Sequence, residues 1–285
     1  MSMRLTLLGT GSSVGVPRVG GVWGACDPTN PKNRRRRCAL LLEQRGGQGA
    51  TQGVIQGATQ GVTKGANKGA TSILVDTPAD IREQMLDAGV GVLDAVLYTH
   101  DHADHTHGID DLRAVFFLTR SRVPIYADRV TRATLERRFQ YCFAQPAGSL
   151  YPAILKAHDI EVGRPFHVTG AGGLIEVLPI LHEHGSGHSL GFRFGKIAYS
   201  PDVSGLPEAS LPLLRGLDLW IVDALRPHPH PSHFSVKQTL DWIERLGIKR
   251  AILTHMTIEL DYEALKRELP ENVEPAYDGM VLEVA

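Results

Sequence analysis

"LYTHDHADHTHGID" spans residues 97–110 and holds four histidines and three aspartates in fourteen positions. It continues an apolar run, LDAVLYT (93–99), that reads as a buried strand. Just past a strand, alternation sends His100 and His102 to the same side, so two imidazoles can converge on one ion. Asp104 and His105 then begin a turn and can face a second ion. Imidazole nitrogen mixed with carboxylate oxygen suits zinc, manganese or iron. The absence of a nearby thiolate argues against an iron–sulfur or four-cysteine site. Two ions about 3.5–4 Å apart can share and activate one water. Asp101 alternates away from the histidine face. His107 reads as a hydrogen-bonded surface histidine, and Asp110 and Asp111 as negative charges at the start of a helix over 110–120.

Beyond this stretch the histidines stay clustered: eleven of thirteen fall at 100–107, 182–188, 228–233 and position 255. Several candidates follow apolar strand-like runs: His184 after GLIEVLPIL, Asp202 after KIAYS and His255 within KRAILTH. Ligand sites of layered α/β folds gather at strand ends. Strands are expected at 4–8, 38–44, 71–77, 93–99, 123–127, 173–181, 189–194, 196–200, 217–224, 249–255 and 278–284. Helices are expected at 78–89, 110–120, 128–143, 235–247 and 261–269. Mixed strands and helices in this alternation give an α/β layered fold.

The 285 residues are read as a single domain (1–285), interrupted by a low-complexity insertion at 45–71 with an eight-residue glycine-rich repeat (QGATQGVI, QGATQGVT, KGANKGAT). Too few apolar groups lie there to offset the entropy of ordering so much glycine, and a long surface insertion costs little. Net charge is −1, so no global field draws in nucleic acid. Three cysteines, Cys26, Cys38 and Cys142, point to a reducing compartment. No segment reaches the roughly 20 apolar residues of a membrane helix. The expectation is a cytoplasmic protein.

The 97–110 stretch resembles the metal-binding motif of the metallo-β-lactamase superfamily. That resemblance implies an αββα sandwich with a dinuclear site at one edge. It adds a distal histidine, a bridging aspartate and a final histidine, in that chain order. His184, Asp202 and His255 supply them, His184 by resemblance. His182 shares its strand face and stays open as the alternative, and His188 lies close by. The resemblance also matches Asp76, ending SILVD, to a buried acid that supports the site; a helix N-cap is the other reading.

A narrower resemblance covers nearly the whole chain outside 45–71. It is to the phosphoribosyl cyclic phosphodiesterase group of bacterial phosphonate catabolism, through GTGSSVGVP (9–17), RRRRCALLLE (34–43), AYSPDVSGLPE (198–208) and ILTHMTIELDY (252–262). It implies that His233, in RPHPHPSHFS (226–235), contacts phosphate and donates a proton, while His228 and His230 read as exposed. It implies hydrolysis of a small cyclic phosphate or nucleotide-like phosphodiester by water held between two divalent ions, zinc first and manganese as the alternative, with Asp104 positioning the water. A transfer-RNA 3′-end nuclease, a carbon-ester or thioester hydrolase and a non-catalytic nucleotide-binding module remain alternatives. The expected partner is a small molecule rather than nucleic acid or membrane, and a homodimer is left open. One departure stands out. Close members carry a structural zinc held by cysteines of the first long loop and a histidine after the final ligand; here only Cys26 and Ile258 stand there. Asp, Pro and Asn turns are expected to brace the loop instead. Arg34–Arg37 are read as mostly solvated, and loop 9–15 as a source of backbone N–H groups for an anion.

Overall fold

The computed structural model describes residues 2–46 and 69–284. The insertion expected at 45–71 therefore lies largely outside the described residues.

Two seven-stranded sheets face each other. The chain lays down β1 (Met3–Gly9), β2 (Ala39–Arg45), β3 (Ala70–Val75), β4 (Ala95–Leu97), β5 (Val123–Ala127) and β6 (Leu155–Asp159) in the first. It then crosses to β7 (Phe166–Gly170), β8 (Gly173–His184), β9 (Gly187–Phe194), β10 (Ile197–Ser200), β11 (Leu219–Asp223), β12 (Ala251–Thr254) and β13 (Val273–Pro275). Finally β14 (Met280–Val284) returns to pair antiparallel with β1.

Period-two alternation builds two cores from one sheet. Leu40, Leu42, Ile73, Val75, Ala95 and Leu97 face the second sheet and meet Val177, Phe192, Phe194 and Ile221. Their neighbours Leu41, Leu74, Val96 and Tyr98 face outward, under α1 (Ile81–Ala88), α3 (Leu112–Thr119) and α4 (Arg129–Arg138). The first sheet is thus apolar on both faces, because the second sheet covers one and helices the other. On the far side, α6 (Val236–Leu246) and α7 (Tyr262–Glu268) cover the second sheet, giving the αββα sandwich.

Three strands were not foreseen, β6 (LKAHD), β7 (FHVTG) and β13 (VEP). All three are outermost in their sheets, where little apolar surface is needed. The expected helix 128–143 breaks at Phe139 (φ −125°, ψ 38°) into α4 and the single turn α5 (Gln140–Phe143). The strand expected at 93–99 is only three residues long, because Tyr98, Thr99 and His100 already peel away.

Candidate metal centre

The functional side chains collect at one end of the sandwich, where Leu190 N donates to Thr99 O (2.8 Å) and stitches the sheets together. After β4 the chain turns through α2 (Ala103–Thr106), a single helical turn. This turn is anchored to the β3–α1 loop. Thr77 N donates to His105 O and Gly108 N to Thr77 O, both 2.8 Å. Gly108 is required there, because a Cβ would lie 2.1 Å from Pro78 O. Anchored this way, α2 aims His105 inward and Asp104 across at β12.

Asp202, just past β10, is the hub. Its Oδ1 lies 3.1 Å from His105 Nε2 and 3.5 Å from His255 Nε2. Its Oδ2 lies 3.8 Å from His100 Nε2 and 3.7 Å from His184 Nε2. Two groups result, one on each carboxylate oxygen. His102 Nδ1 stands 3.3 Å from His184 Nε2 and completes the first. Asp104 Oδ2, 3.5 Å from His105 Nε2 and 3.7 Å from His255 Nε2, completes the second.

Each inward nitrogen is set by what the other ring nitrogen does. His184 Nδ1 lies 2.7 Å from Ser232 O, a pure acceptor, so it carries the proton and Nε2 presents a lone pair. His105 Nδ1 lies 2.7 Å from Asp76 Oδ2. His100 Nδ1 lies 3.0 Å from Thr99 Oγ1, which in turn donates to Asp76 (2.8 Å). Asp76 also accepts Thr99 N (2.9 Å) and sits at φ +64°; it supports two imidazoles and does not cap α1, whose N-cap position is Asp80. Handing one ring nitrogen to a carboxylate or carbonyl is how metal-ligating histidines are oriented. His255, at φ +60°, is a second strained position, and such non-glycine outliers gather at functional sites.

The inward atoms lack hydrogen bonds. His100 Nε2, His105 Nε2, Asp202 Oδ1 and His255 Nε2 are all buried and form none among the described residues. Native interiors seldom tolerate this, and a bound ion is one ordinary explanation. Charge agrees. Burial works against ionisation of Asp202, but His255, His105 and His100 hold its carboxyl well below the usual range. At Asp104 burial is likewise outweighed by His105 and His255. Burial presses His100 and His184 to the neutral form, the latter down to about 4. At His105 burial is overcome by Asp202, Asp104 and Asp76, which raise it well above the imidazole range. Two carboxylates held ionised, which draw positive charge onto His105 while His100 and His184 stay neutral, call for cations, and the donor set fits divalent ions of borderline hardness.

The remaining candidates divide clearly. His182 points into the core with Nε2 3.3 Å from Ser200 Oγ and stays out of the groups. His188 pairs with Asp128. Asp101 pairs with Arg138 (3.5 Å) and Asp110 with Arg113 (2.6 Å). His107 is exposed, as a surface histidine, with its ring edge-on to Phe139. His233 stacks on His255 (centroids 4.6 Å, 15°) with Nδ1 2.7 Å from Asp223 Oδ2. Burial lowers His233, while burial raises Asp223. Asp223 also accepts Val203 N (3.1 Å) and faces His255 Nδ1 (3.9 Å). The sequence reading missed it. Its signal was present, because Asp223 ends the buried strand LWIVD just as Asp76 follows SILV.

Two expectations fail. Of the four arginines only Arg34 is exposed. Arg36 pairs with Asp278 and Asp87, Arg37 with Asp80, and Arg35 is buried. Loop 9–15 is no open cradle either, since Thr10 N and Gly11 N donate to Arg36 O, and Ser12 N to Met256 O. Its glycines serve close approach; a Cβ on Gly9 would lie 2.0 Å from Arg37 O.

Arg35 holds the first loop. Its guanidinium donates to Thr257 O (3.2 Å) and Leu260 O (2.8 Å) and contacts Cys26 Sγ (3.7 Å). Asp27 and Asn30 brace the same loop by accepting Thr29 N and Lys32 N.

A family model described as the beta-lactamase superfamily domain matches residues 71–256. The chain is 30% identical over 283 residues to an octanoyltransferase of Porphyromonas gingivalis, covering 98% of this chain and 51% of that protein. It thus spans about half the length of that relative. Among solved structures, a diphosphatase from the PhnP family superposes with a TM-score of 0.80 at 32% identity, covering 100% of this chain and 98% of the other. Zinc-bound PqqB of Methylobacterium extorquens superposes with a TM-score of 0.65 at 14% identity over 98% of this chain and 99% of its own, a likeness of fold.

Proposed function

The chain belongs to the metallo-β-lactamase superfamily and is a hydrolase of that fold, and we propose that the bond it breaks is a phosphodiester in a small cyclic or nucleotide-like substrate. One observation carries the proposal. Asp202 presents its two oxygens to two separate histidine groups, and His233, braced by Asp223, stands beside them with no hydrogen bond to Nε2 among the described residues. The similar diphosphatase supports phosphorus rather than carbon as the atom attacked.

His100, His102, His184 and Asp202 would hold one divalent ion, and Asp104, His105, His255 and Asp202 the other, zinc or manganese by donor chemistry. Bound there, such ions supply charge for the phosphate oxygens and bring water within reach of ionisation near neutral pH. The protein's own part is then definite. Asp104, with its carboxyl held ionised, orients the attacking water and accepts its proton. Asp202 fixes the separation of the two groups. As the water oxygen adds to phosphorus and the opposite P–O bond breaks, His233 donates a proton from Nε2 to the departing oxygen. Asp223 at Nδ1 stabilises the imidazolium that this requires, and an anionic phosphate beside the ring raises its lowered pKa. General acid help of this kind is worth about 10²–10⁴-fold.

The test is a substrate panel with protein loaded separately with zinc and manganese: a ribose cyclic phosphate, bis-p-nitrophenyl phosphate, a transfer-RNA precursor and an octanoyl thioester. Turnover of the small phosphodiesters is expected. Turnover confined to the thioester would overturn the proposal and shift the reading to acyl chemistry, the class named for the octanoyltransferase relative.

A further inference from the structure

Between β11 and α6 runs the segment Arg226–His233, with Pro227, Pro229 and Pro231 alternating along it. Its ends are fastened, Leu225 N to Phe234 O and Val236 N to Arg226 O, both 3.0 Å. Arg226 folds back over the loop, donating Nε to His228 O (3.2 Å) and Nη2 to Pro229 O (2.8 Å). Proline-fixed dihedrals and the arginine brace make this a preorganised loop. It is built around His230, which the sequence reading took for an exposed bystander. His230 is half-buried, with its ring 5.3 Å from that of His233, while His228 is exposed.

Hydrogen bonding decides which nitrogen His230 offers. Ser232 N–H points at His230 Nδ1 (3.3 Å), and Ser232 Oγ lies 3.1 Å from the same atom. A backbone N–H can only donate, so Nδ1 is the acceptor and the ring proton sits on Nε2. That Nε2–H has no partner among the described residues. Arg226 likewise has no carboxylate within ion-pair distance among the described residues, and its charge acts on both His230 and His233. A fixed cation without a counter-ion and a free N–H donor thus stand beside the group that would meet the first phosphoryl. Two rings 5.3 Å apart address neighbouring anionic groups.

We propose that His230, with Arg226 behind it, forms a subsite for a second phosphoryl group, so that diphosphate-linked molecules are the preferred substrate class. The inference rests on the phosphoester reading above and narrows it. One phosphoryl lies against Asp202 and His233. The other accepts the His230 Nε2–H and is stabilised by the unpaired guanidinium. A single-phosphorus diester uses the first position only.

The test compares binding of methylenebisphosphonate and methylphosphonate to the metal-loaded full chain by calorimetry, for wild type, His230→Ala and His230→Gln. Neither probe has a scissile P–O–P bond. Wild type should prefer the bisphosphonate. His230→Ala should weaken bisphosphonate binding about 10-fold or more, the size of a hydrogen bond to a charged acceptor, and leave methylphosphonate within about 2-fold. His230→Gln keeps an N–H donor and should recover part of the loss. Equal weakening of both probes, no weakening of either, or a wild type without preference overturns the subsite. A wild type that binds as expected yet hydrolyses no phosphodiester would count against the proposed function and leave the subsite standing, because the binding comparison breaks no bond.

Discussion

Two buried polar clusters flank the segment His255–Leu260, and they are finished differently. On one side, His100, His105, Asp202 and His255 turn inward nitrogen and oxygen atoms that form no hydrogen bond among the described residues. On the other, Arg35 is equally buried, yet its two terminal nitrogens reach the carbonyls of Thr257 and Leu260, and only Nε is left over. Both clusters would be expensive if unpartnered. The arginine cluster finds its partners within the chain and holds loops together. The histidine cluster faces inward for something the chain does not contain. Burial of polar groups alone therefore separates nothing; what separates a site from a brace is whether the converging atoms are already used.

Substitutions should expose that contrast, beginning with the hub. Asp202→Ala removes the carboxylate shared by both groups and should cut kcat/KM about 10³-fold or more, with elemental analysis showing fewer ions per chain than the two expected of the wild type. Next, His233→Ala should lower kcat about 10²-fold while the ion count stays at two, separating proton donation from ion holding. Asp76→Asn leaves every inward atom in place but weakens the support of His105 and Thr99. Metal affinity should drop about 10-fold or more, read by competition with a chelator. Arg35→Met should show the reverse pattern, with two stranded carbonyls costing about 2–4 kcal/mol of unfolding free energy while the folded fraction keeps both ions. If Arg35→Met emptied the centre at unchanged stability, the two clusters would not be distinct.

Much of the centre could be read from the sequence because its geometry is local. In 97–110 strand alternation brings His100 and His102 to one side, and one helical turn delivers Asp104 and His105. Asp202 and His255 were legible as polar residues ending apolar runs. The same rule applied evenly finds Asp223, which ends LWIVD. Arg35 was not legible. Four identical side chains in a row say nothing about which turns inward, and that is set by the isolated pairings of Gly11 with Arg37 and Val16 with Arg35. His230 was hidden for a similar reason, since its half-burial depends on Arg226 folding the proline loop back. The choice between His182 and His184 also needed coordinates. Both face the same side of β8, but His182 is one residue pair deeper and is spent on Ser200.

The central claim is that two cations lie on opposite oxygens of one carboxylate. Anomalous diffraction from crystals grown with zinc or manganese tests it most directly. Two peaks are expected, one among His100, His102 and His184 and the other among Asp104, His105 and His255, with Asp202 between them. A single peak, or none at saturating metal, would contradict the account.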